Sequence, residues 1–409
     1  MYKRQAYALI SYQTAYLKTH YTAAFLAAVM TTEMDNTDRL IMIKDDCLNY
    51  DIELLPPSIN HSLHEFTVLN KQQILYGLGA IKGVGKSTVE SIIKERDDRG
   101  IFENLDEFCK RLGAEKISRR VLESLIKCGA LDEFNVSRNG LDFQLLGAIK
   151  SADQQARNSA AGQNDMFGLA PVIQVSNNDE DNDILEWKEE KLLKKEKEAL
   201  GLYLSGHPFH AVRNDALCFT GGTLKSLQSI DRPEKMTGDK KYRQPRKIII
   251  IAGLIADIRK RGNRISIIID DDTARMEATI FNDKFQKFRD LVKKDTIIVV
   301  EGNLRFDEFS SSWQVNIEKI TNIHTMIENL AKNLLIDLPS SPKDHSILNQ
   351  LKSLLKSGKT GNCEISIKFN NDTASGRLDL GKKWLVAPTK DLRDELIVLL
   401  GKNSVKLSY

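Results

Sequence analysis

Residues 80–96 read AIKGVGKSTVESIIKER, a glycine-containing turn followed by a stretch with helical spacing. Glycines permit a tight turn in which the backbone can approach a ligand closely. The backbone N–H groups that begin the following helix can hold a phosphate, and a lysine there adds positive charge. The stretch therefore predicts a phosphate-binding turn between two helical elements, formed by Gly83, Val84, Gly85, Lys86 and Ser87.

Three interpretations of this turn are open. GVGKST resembles part of a P-loop, but that motif requires a glycine five residues before Gly85, where this chain has Ala80. A P-loop also follows a hydrophobic strand, whereas the short GLGAIKG turn comes first here. A purely structural turn is the second interpretation. We favour the third, a helix-hairpin-helix, which holds the DNA backbone regardless of base sequence.

A second helical pair follows at residues 105–134. Its second helix begins near three cations: Lys116, Arg119 and Arg120. We favour a packing role for this pair.

The flanking segments predict further helices and a linker. Residues 6–30 have apolar side chains at helical spacing without Gly or Pro, and residues 64–83 contain two short strand-like runs. The stretch that begins at Ser151 is rich in Gln, Asn, Ser and Ala and acidic near residue 180, which is typical of a segment too polar to fold by itself. A charged helix follows, and its Glu–Lys pairs four residues apart predict a solvated face.

A change to alternating apolar periodicity at Arg246 predicts strands. Five strands with a helix after the third is the order of an OB barrel. Residues 324–409 alternate helix and strand, which predicts a small α/β module. The predicted fold class is therefore multidomain α+β: a helical N-terminal part with tandem hairpins, an OB-fold β-barrel and a small C-terminal α/β module.

Positive charge is concentrated at the start of this barrel. Residues 240–264 contain nine Lys or Arg against one acid, Asp257, which gives +8, whereas the whole chain carries +3. An OB groove binds single-stranded backbone through cations and stacks bases on aromatic rings. A solvated surface and core aromatics are the alternatives. The candidate residues for single-stranded DNA are Arg259, Lys260, Arg261, Arg264, Phe281, Phe306 and Trp313.

Composition excludes several classes of protein. The chain has 409 residues, of which 28% are charged and 41% hydrophobic. This length and composition are typical of several folded domains and exclude a largely disordered protein. The longest apolar run, residues 248–256, is too short to span a bilayer, and no signal peptide is evident, so we expect a cytoplasmic protein. Five well-separated cysteines predict reduced core thiols, and no cluster of acids, histidines or cysteines predicts a metal or cofactor site.

A short peptide, QNDMFG at 163–168, lies inside the predicted linker. A glutamine followed by Met166 and Phe167 suits docking into an apolar pocket on a partner. The alternative is that these side chains pack on their own domain, and the peptide alone does not decide between the two.

The motifs together resemble one family. AYALISYQTAYLKTHY, LLPPSIN, YGLGAIKGVGKSTVESII, SRRVLESLIKCGALD, QNDMFG, LGLYLSGHP and the basic OB segment are similar, in that order, to the C-terminal third of bacterial replicative DNA polymerase III alpha subunits. The likeness weakens after about residue 325. At the start, MYKRQ replaces a serine- and histidine-containing segment that usually precedes AYALISYQ.

The resemblance implies a role for each part. Residues 1–70 would end the fingers domain, the tandem hairpins at 71–150 would bind duplex DNA, and the OB domain at 241–325 would meet the single-stranded template. Residues 151–185 would be a flexible linker, and residues 186–240 a helical connector. The module at 326–409 would bind the tau subunit of the clamp loader. The clamp-binding peptide of the family would be formed here by Gln163, Asp165, Met166 and Phe167.

The resemblance also implies the activity of the parent protein. That protein would be a DNA-directed DNA polymerase that uses Mg²⁺. Its metal-binding acids would lie before residue 1, so we expect no catalytic residue, no bound cofactor and no polymerase activity in these 409 residues alone. The alternative is a non-catalytic, clamp-tethered DNA-binding adaptor, and the reading frame upstream of Met1 would distinguish the two. A P-loop ATPase is the third hypothesis, and it predicts ATP binding that depends on Lys86.

Overall fold

A computed structural model of the chain divides into two units, Met1–His207 and Pro208–Tyr409. The division falls inside the stretch 186–240 that the sequence assigns to a helical connector. The structure describes residues 2–113, 117–160, 184–230, 247–308, 310–338, 345–370 and 375–409.

The first unit begins with three helices: α1 (Tyr2–His20), α2 (Thr22–Thr32) and α3 (Thr37–Asn49). The apolar face of α2 is buried, since Leu26 and Met30 are almost inaccessible to solvent. A small sheet follows, made of β1 (Glu53–Leu55), β2 (Thr67–Asn70) and β3 (Gln73–Leu75). Its strand order is β1-β3-β2, and the last two strands are the two short runs that the sequence predicts between 64 and 83.

Five helices complete the first unit: α4 (Lys86–Arg99), α5 (Leu105–Leu112), α6 (Arg119–Lys127), α7 (Arg138–Ala160) and α8 (Glu189–Leu200). Their apolar faces form one core with α2, α3 and the small sheet. Helix α7 runs on to Ala160, into the stretch 151–185 that the sequence assigns to a linker. Its extension contains no Gly or Pro and buries Ala152, so packing and helix propensity outweigh the polar composition.

Helix α8 is the charged helix for which the sequence predicts a solvated face, but one of its acidic residues is buried. Glu196 is 1% exposed. It accepts hydrogen bonds from the backbone N–H groups of Leu204 and Ser205, and Nη1 of Arg138 lies 3.8 Å from its carboxylate. A buried carboxylate is tolerated when hydrogen bonds and a cation replace its hydration. Glu196 therefore fixes the chain that leaves α8 against the start of α7.

The second unit contains a closed five-stranded barrel. Its strands are β4 (Lys247–Arg261), β5 (Arg264–Asp270), β6 (Arg275–Phe281), β7 (Ile297–Asp307) and β8 (Ser312–Asn322). They follow the order β4-β5-β6-β8-β7, and alternate residues, isoleucine above all, fill the interior. Two short helices precede the barrel, α9 (Arg213–Leu217) and α10 (Leu224–Gln228), and another, α11 (Asn282–Phe285), follows its third strand, as the sequence predicts.

The last part of the chain forms a small α/β module. Its elements are α12 (Ile323–Leu330), β9 (Asn333–Leu338), α13 (His345–Ser357), β10 (Thr360–Asn370), β11 (Ser375–Asp379), α14 (Lys390–Leu400) and β12 (Val405–Ser408). The four strands form a sheet of order β11-β10-β9-β12 that packs on α13 and α14, and β9 and β10 run parallel with α13 between them. The predicted multidomain α+β fold class, with hairpin helices, an OB barrel and this module, is confirmed.

The five cysteines are free thiols, but only four of them are buried. Cys218 is exposed, so the prediction that all five are core residues is wrong at this position. It lies at the end of the short helix α9, where the chain turns at the surface.

Candidate nucleic-acid interfaces

The first hairpin lies between a short 3-10 helix, Leu78–Ala80, and α4. Gly83 has a φ of +85°, a conformation that favours glycine, and reverses the chain. Val84 is buried beneath the turn, and its N–H donates to the carbonyl of Ile81. The turn therefore holds the start of α4 in a fixed position.

The start of α4 is open to an anion. Gly85 caps the helix in an extended conformation, and nothing lies within 4 Å of the position that a Cβ would occupy there. Gly85 accepts hydrogen bonds from the N–H groups of Thr88 and Val89. The N–H groups of Lys86 and Ser87 belong to the first turn, which has no intrahelical acceptors for them, and both residues are exposed. Together with the helix dipole, this arrangement can bind a phosphate.

The element before the turn differs from that of a P-loop. β3 ends at Leu75, and residues 78–80 form a 3-10 helix rather than a strand that leads into the glycines. The surroundings of the turn are therefore those of a hairpin between helical elements.

The second hairpin, between α5 and α6, adds a feature that the sequence did not reveal. Ser118 caps α6 by accepting a hydrogen bond from the N–H of Val121. Beside α6 lies a cleft of about 640 Å³ that also reaches the turn of the first hairpin. Its charged lining residues are Lys82, Arg119, Arg120, Glu123, Lys127 and Glu198. The sequence identifies Arg119 and Arg120 as cations at a helix start, but no local pattern in it links them to Lys82.

On the barrel, the predicted basic residues lie at the connection between β4 and β5. Arg259, Lys260 and Arg264 are exposed. Nε of Arg259 donates to a carboxylate oxygen of Asp257 at 2.8 Å. Partial burial raises the pKa of Asp257, but the hydrogen bonds from Arg259 and from the backbone, with the charges of Arg259 and Lys294, bring it below its ordinary value. Asp257 thus neutralises part of this basic surface. Arg261 ends β4 opposite Arg264 in the strand register.

Phe281 is the most exposed of the three predicted aromatic residues. The residue is 51% exposed, and its ring centre lies 5.1 Å from the guanidinium carbon of Arg264, its partner across the β5–β6 pair. A half-exposed ring beside a cation can accept a stacked base.

Phe306 and Trp313 form a separate pair. Their ring centres are 5.3 Å apart in an edge-to-face arrangement, and both rings are partly buried. The indole N–H of Trp313 donates to the carbonyl of Ile230. The strand register places Glu277 beside Gln314, so that Phe281 lies about 16 Å further along the strands than Trp313. The structure therefore does not bring the three aromatic residues together.

Some predicted residues lie outside the described part of the chain. These are Lys116, Gln163, Asp165, Met166 and Phe167, the basic residues from 240 to 246, and the side chain of Arg261. Within the described ranges, no three His, Cys, Asp or Glu side chains form a group that could hold a metal ion. Nor does any helix in these ranges have the length and apolar character to cross a membrane.

Three protein-family models match parts of the chain. A helix-hairpin-helix motif matches residues 51–141, an OB-fold nucleic acid binding domain matches 249–323, and the C-terminal domain of DNA polymerase III subunit alpha matches 350–401. These regions correspond to the hairpins, the barrel and the last module described above. The third model belongs to the DNA polymerase III alpha subunit family, and relatives that are 37% identical over 99% of this chain extend the match to the whole chain. The chain belongs to this family.

Curated relatives agree with this assignment along the whole chain. The DNA polymerase III alpha subunits of Pasteurella multocida and Escherichia coli K12 are each 37% identical to it, and that of Vibrio cholerae is 34% identical. Each alignment covers 99% of this chain and 34% of the relative, so the chain spans about a third of the length of the relatives it matches.

Proposed function

We propose that this chain is the DNA-, clamp- and clamp-loader-binding part of a replicative DNA polymerase III alpha subunit. Its parent would perform template-directed DNA synthesis in the cytoplasm with Mg²⁺, for which the described residues offer no ligand group. The observation that carries the DNA-binding part of the proposal is the open start of α4 in a region that matches the helix-hairpin-helix model. Membership in the DNA polymerase III alpha subunit family supports the rest. That these 409 residues alone do not extend a primer stays a prediction.

We propose that the first hairpin binds the backbone of duplex DNA. The test measures the affinity of the 409-residue protein for a blunt-ended duplex by fluorescence anisotropy over a range of salt. Replacing Lys86 by alanine removes one cation from the site, so the negative slope of log K against log salt should become less steep by about 0.9. Lys94 lies two turns further along the same helix, is also exposed, and serves as the control.

Lys94→Ala should leave the slope close to that of the unchanged chain. Equal slopes for the Lys86→Ala and Lys94→Ala variants would contradict binding at the hairpin. ATP binding by the unchanged protein, lost in Lys86→Ala, would favour a P-loop instead.

For the barrel we propose contact with the single-stranded template. Arg264 and the half-exposed ring of Phe281 support this role, since they offer a cation and a stacking surface side by side. Phe306 and Trp313 support it less, because they pack on each other and the indole N–H already has an acceptor.

The peptide at 163–168 is proposed to bind the sliding clamp, and the module at 326–409 to bind tau. Alanine at Met166 and Phe167 should abolish capture of the protein by immobilised clamp, because these are the large apolar side chains of the peptide. Duplex affinity should not change. Val172 and Ile173, replaced together by alanine, provide a control of similar apolar character in the same segment. Clamp capture that survives the first change, or is lost equally in the control, would refute the assignment.

A further inference from the structure

The cleft beside α6 has an uneven distribution of charge. Four cations and two acids line it. Arg119 pairs with Glu123 on the same helix at 2.8 Å, and Lys127 pairs with Glu198 of α8 at 3.4 Å. These two pairs account for both acids.

Lys82 and Arg120 carry the remaining charge. Both are exposed, and within the described ranges neither has a carboxylate within 4.0 Å. Unpaired cations that share a cleft repel each other, and an anion bound between them would relieve that repulsion. The excess of +2 thus lies on these two side chains and not on the whole lining.

A backbone hydrogen bond of Lys82 and the side-chain position of Arg120 place both residues relative to the first hairpin. The N–H of Lys82 donates to the carbonyl of Ala199 at 2.9 Å, which ties the turn to the end of α8. Nε of Arg120 lies 3.7 Å from the position that a Cβ on Gly83 would occupy. Arg120, which belongs to the second hairpin, therefore stands beside the turn of the first.

We propose that Lys82 and Arg120 form a second phosphate site, for a backbone phosphodiester of the same duplex that the first hairpin binds. This inference rests on the proposed duplex binding at α4 and adds residues to it. A guanidinium suits this task because its planar N–H groups match two phosphate oxygens, while Lys82 supplies a second positive charge. The two hairpins would then act as one binding surface through Arg120.

The experiment uses the 409-residue protein and a blunt-ended DNA duplex, with affinity measured by anisotropy at several salt concentrations. Lys82→Ala and Arg120→Ala should each make the negative slope of log K against log salt less steep by about 0.9. Each should weaken binding about eightfold at 0.1 M salt. Arg120→Lys keeps the charge and should stay within about twofold of the unchanged chain. The control removes Arg119 and Glu123 together, Arg119→Ala with Glu123→Ala, which leaves the net charge of the cleft unchanged.

The possible outcomes separate this inference from the proposed function. If Lys82→Ala and Arg120→Ala behave like the control while Lys86→Ala weakens binding, the cleft does not hold a phosphate and the hairpin assignment stands. If Lys86→Ala also has no effect, duplex binding at the hairpin is itself wrong. Should Arg120→Ala fail to fold, as judged by circular dichroism, Lys82→Ala alone decides, and an unchanged slope in that variant overturns the inference.

Discussion

The two glycines of the first hairpin should respond differently to replacement. A change at Gly83 should lower stability, whereas a change at Gly85 should lower duplex affinity. Gly83 has a φ of +85°, and an alanine there would have room for its Cβ, whose nearest neighbours lie 3.7 Å away. The cost of Gly83→Ala is therefore conformational, about 1–2 kcal/mol for a left-handed backbone. For a unit of this size, Met1–His207, that loss corresponds to a fall of about 2–8 °C in the melting temperature.

Gly85 lies in an extended conformation that any residue adopts, with open space around it. Serine is favoured at a helix N-cap, so Gly85→Ser should leave stability unchanged or raise it by a few tenths of a kcal/mol. Its hydroxyl would accept a hydrogen bond from the first turn of α4 and compete with a phosphate for those N–H groups. We expect duplex affinity to fall about tenfold, the worth of one charge-assisted hydrogen bond.

The assay follows thermal unfolding through Trp187, a buried residue of the first unit. Replacing Trp313 and Trp384 by phenylalanine in the background removes the other two tryptophans of the sequence. Gly83→Ala should melt earlier than this background, whereas Gly85→Ser should not. Equal melting temperatures for Gly83→Ala and the background would refute the strain argument. Unchanged duplex affinity of Gly85→Ser would refute the phosphate site.

Two further predictions concern the second unit and the thiols. The basic residues of the barrel are Arg259, Lys260, Arg261 and Arg264. Neutralising them should make the negative slope of log K against log salt for single-strand binding less steep, by about 0.7 for each phosphate that the protein no longer neutralises. An unaltered slope would mean that these residues form only a solvated surface. A thiol reagent at pH 8 should modify one cysteine quickly in the folded protein, Cys218, because it is exposed. Four thiols should react only after denaturation, since burial excludes the reagent and raises the pKa to about 11 for Cys47 and Cys363 and to about 12 for Cys109 and Cys128. Quick modification of more than one thiol would contradict that prediction.

Much of the fold follows from local sequence patterns. The alternation of apolar residues after Arg246 predicts the barrel strands, because each strand buries one face independently of its exact partners. The glycines before Lys86 predict the turn, since their conformational freedom is a property of the residues themselves. The helical conformation of α7 beyond Ser151 was not predictable in the same way, because the burial of Ala152 depends on packing in the first unit.

The sequence alone determined the order of the elements, the glycine turn of the hairpin and the family resemblance, because each depends on residues that are close along the chain. Only the tertiary structure decided which of the candidate groups are free to bind. Trp313 donates to Ile230, and Arg120 stands beside Gly83, through contacts between residues distant in sequence. Charge and aromatic character can be read from a residue type, whereas exposure and pairing are set by neighbours that folding brings together.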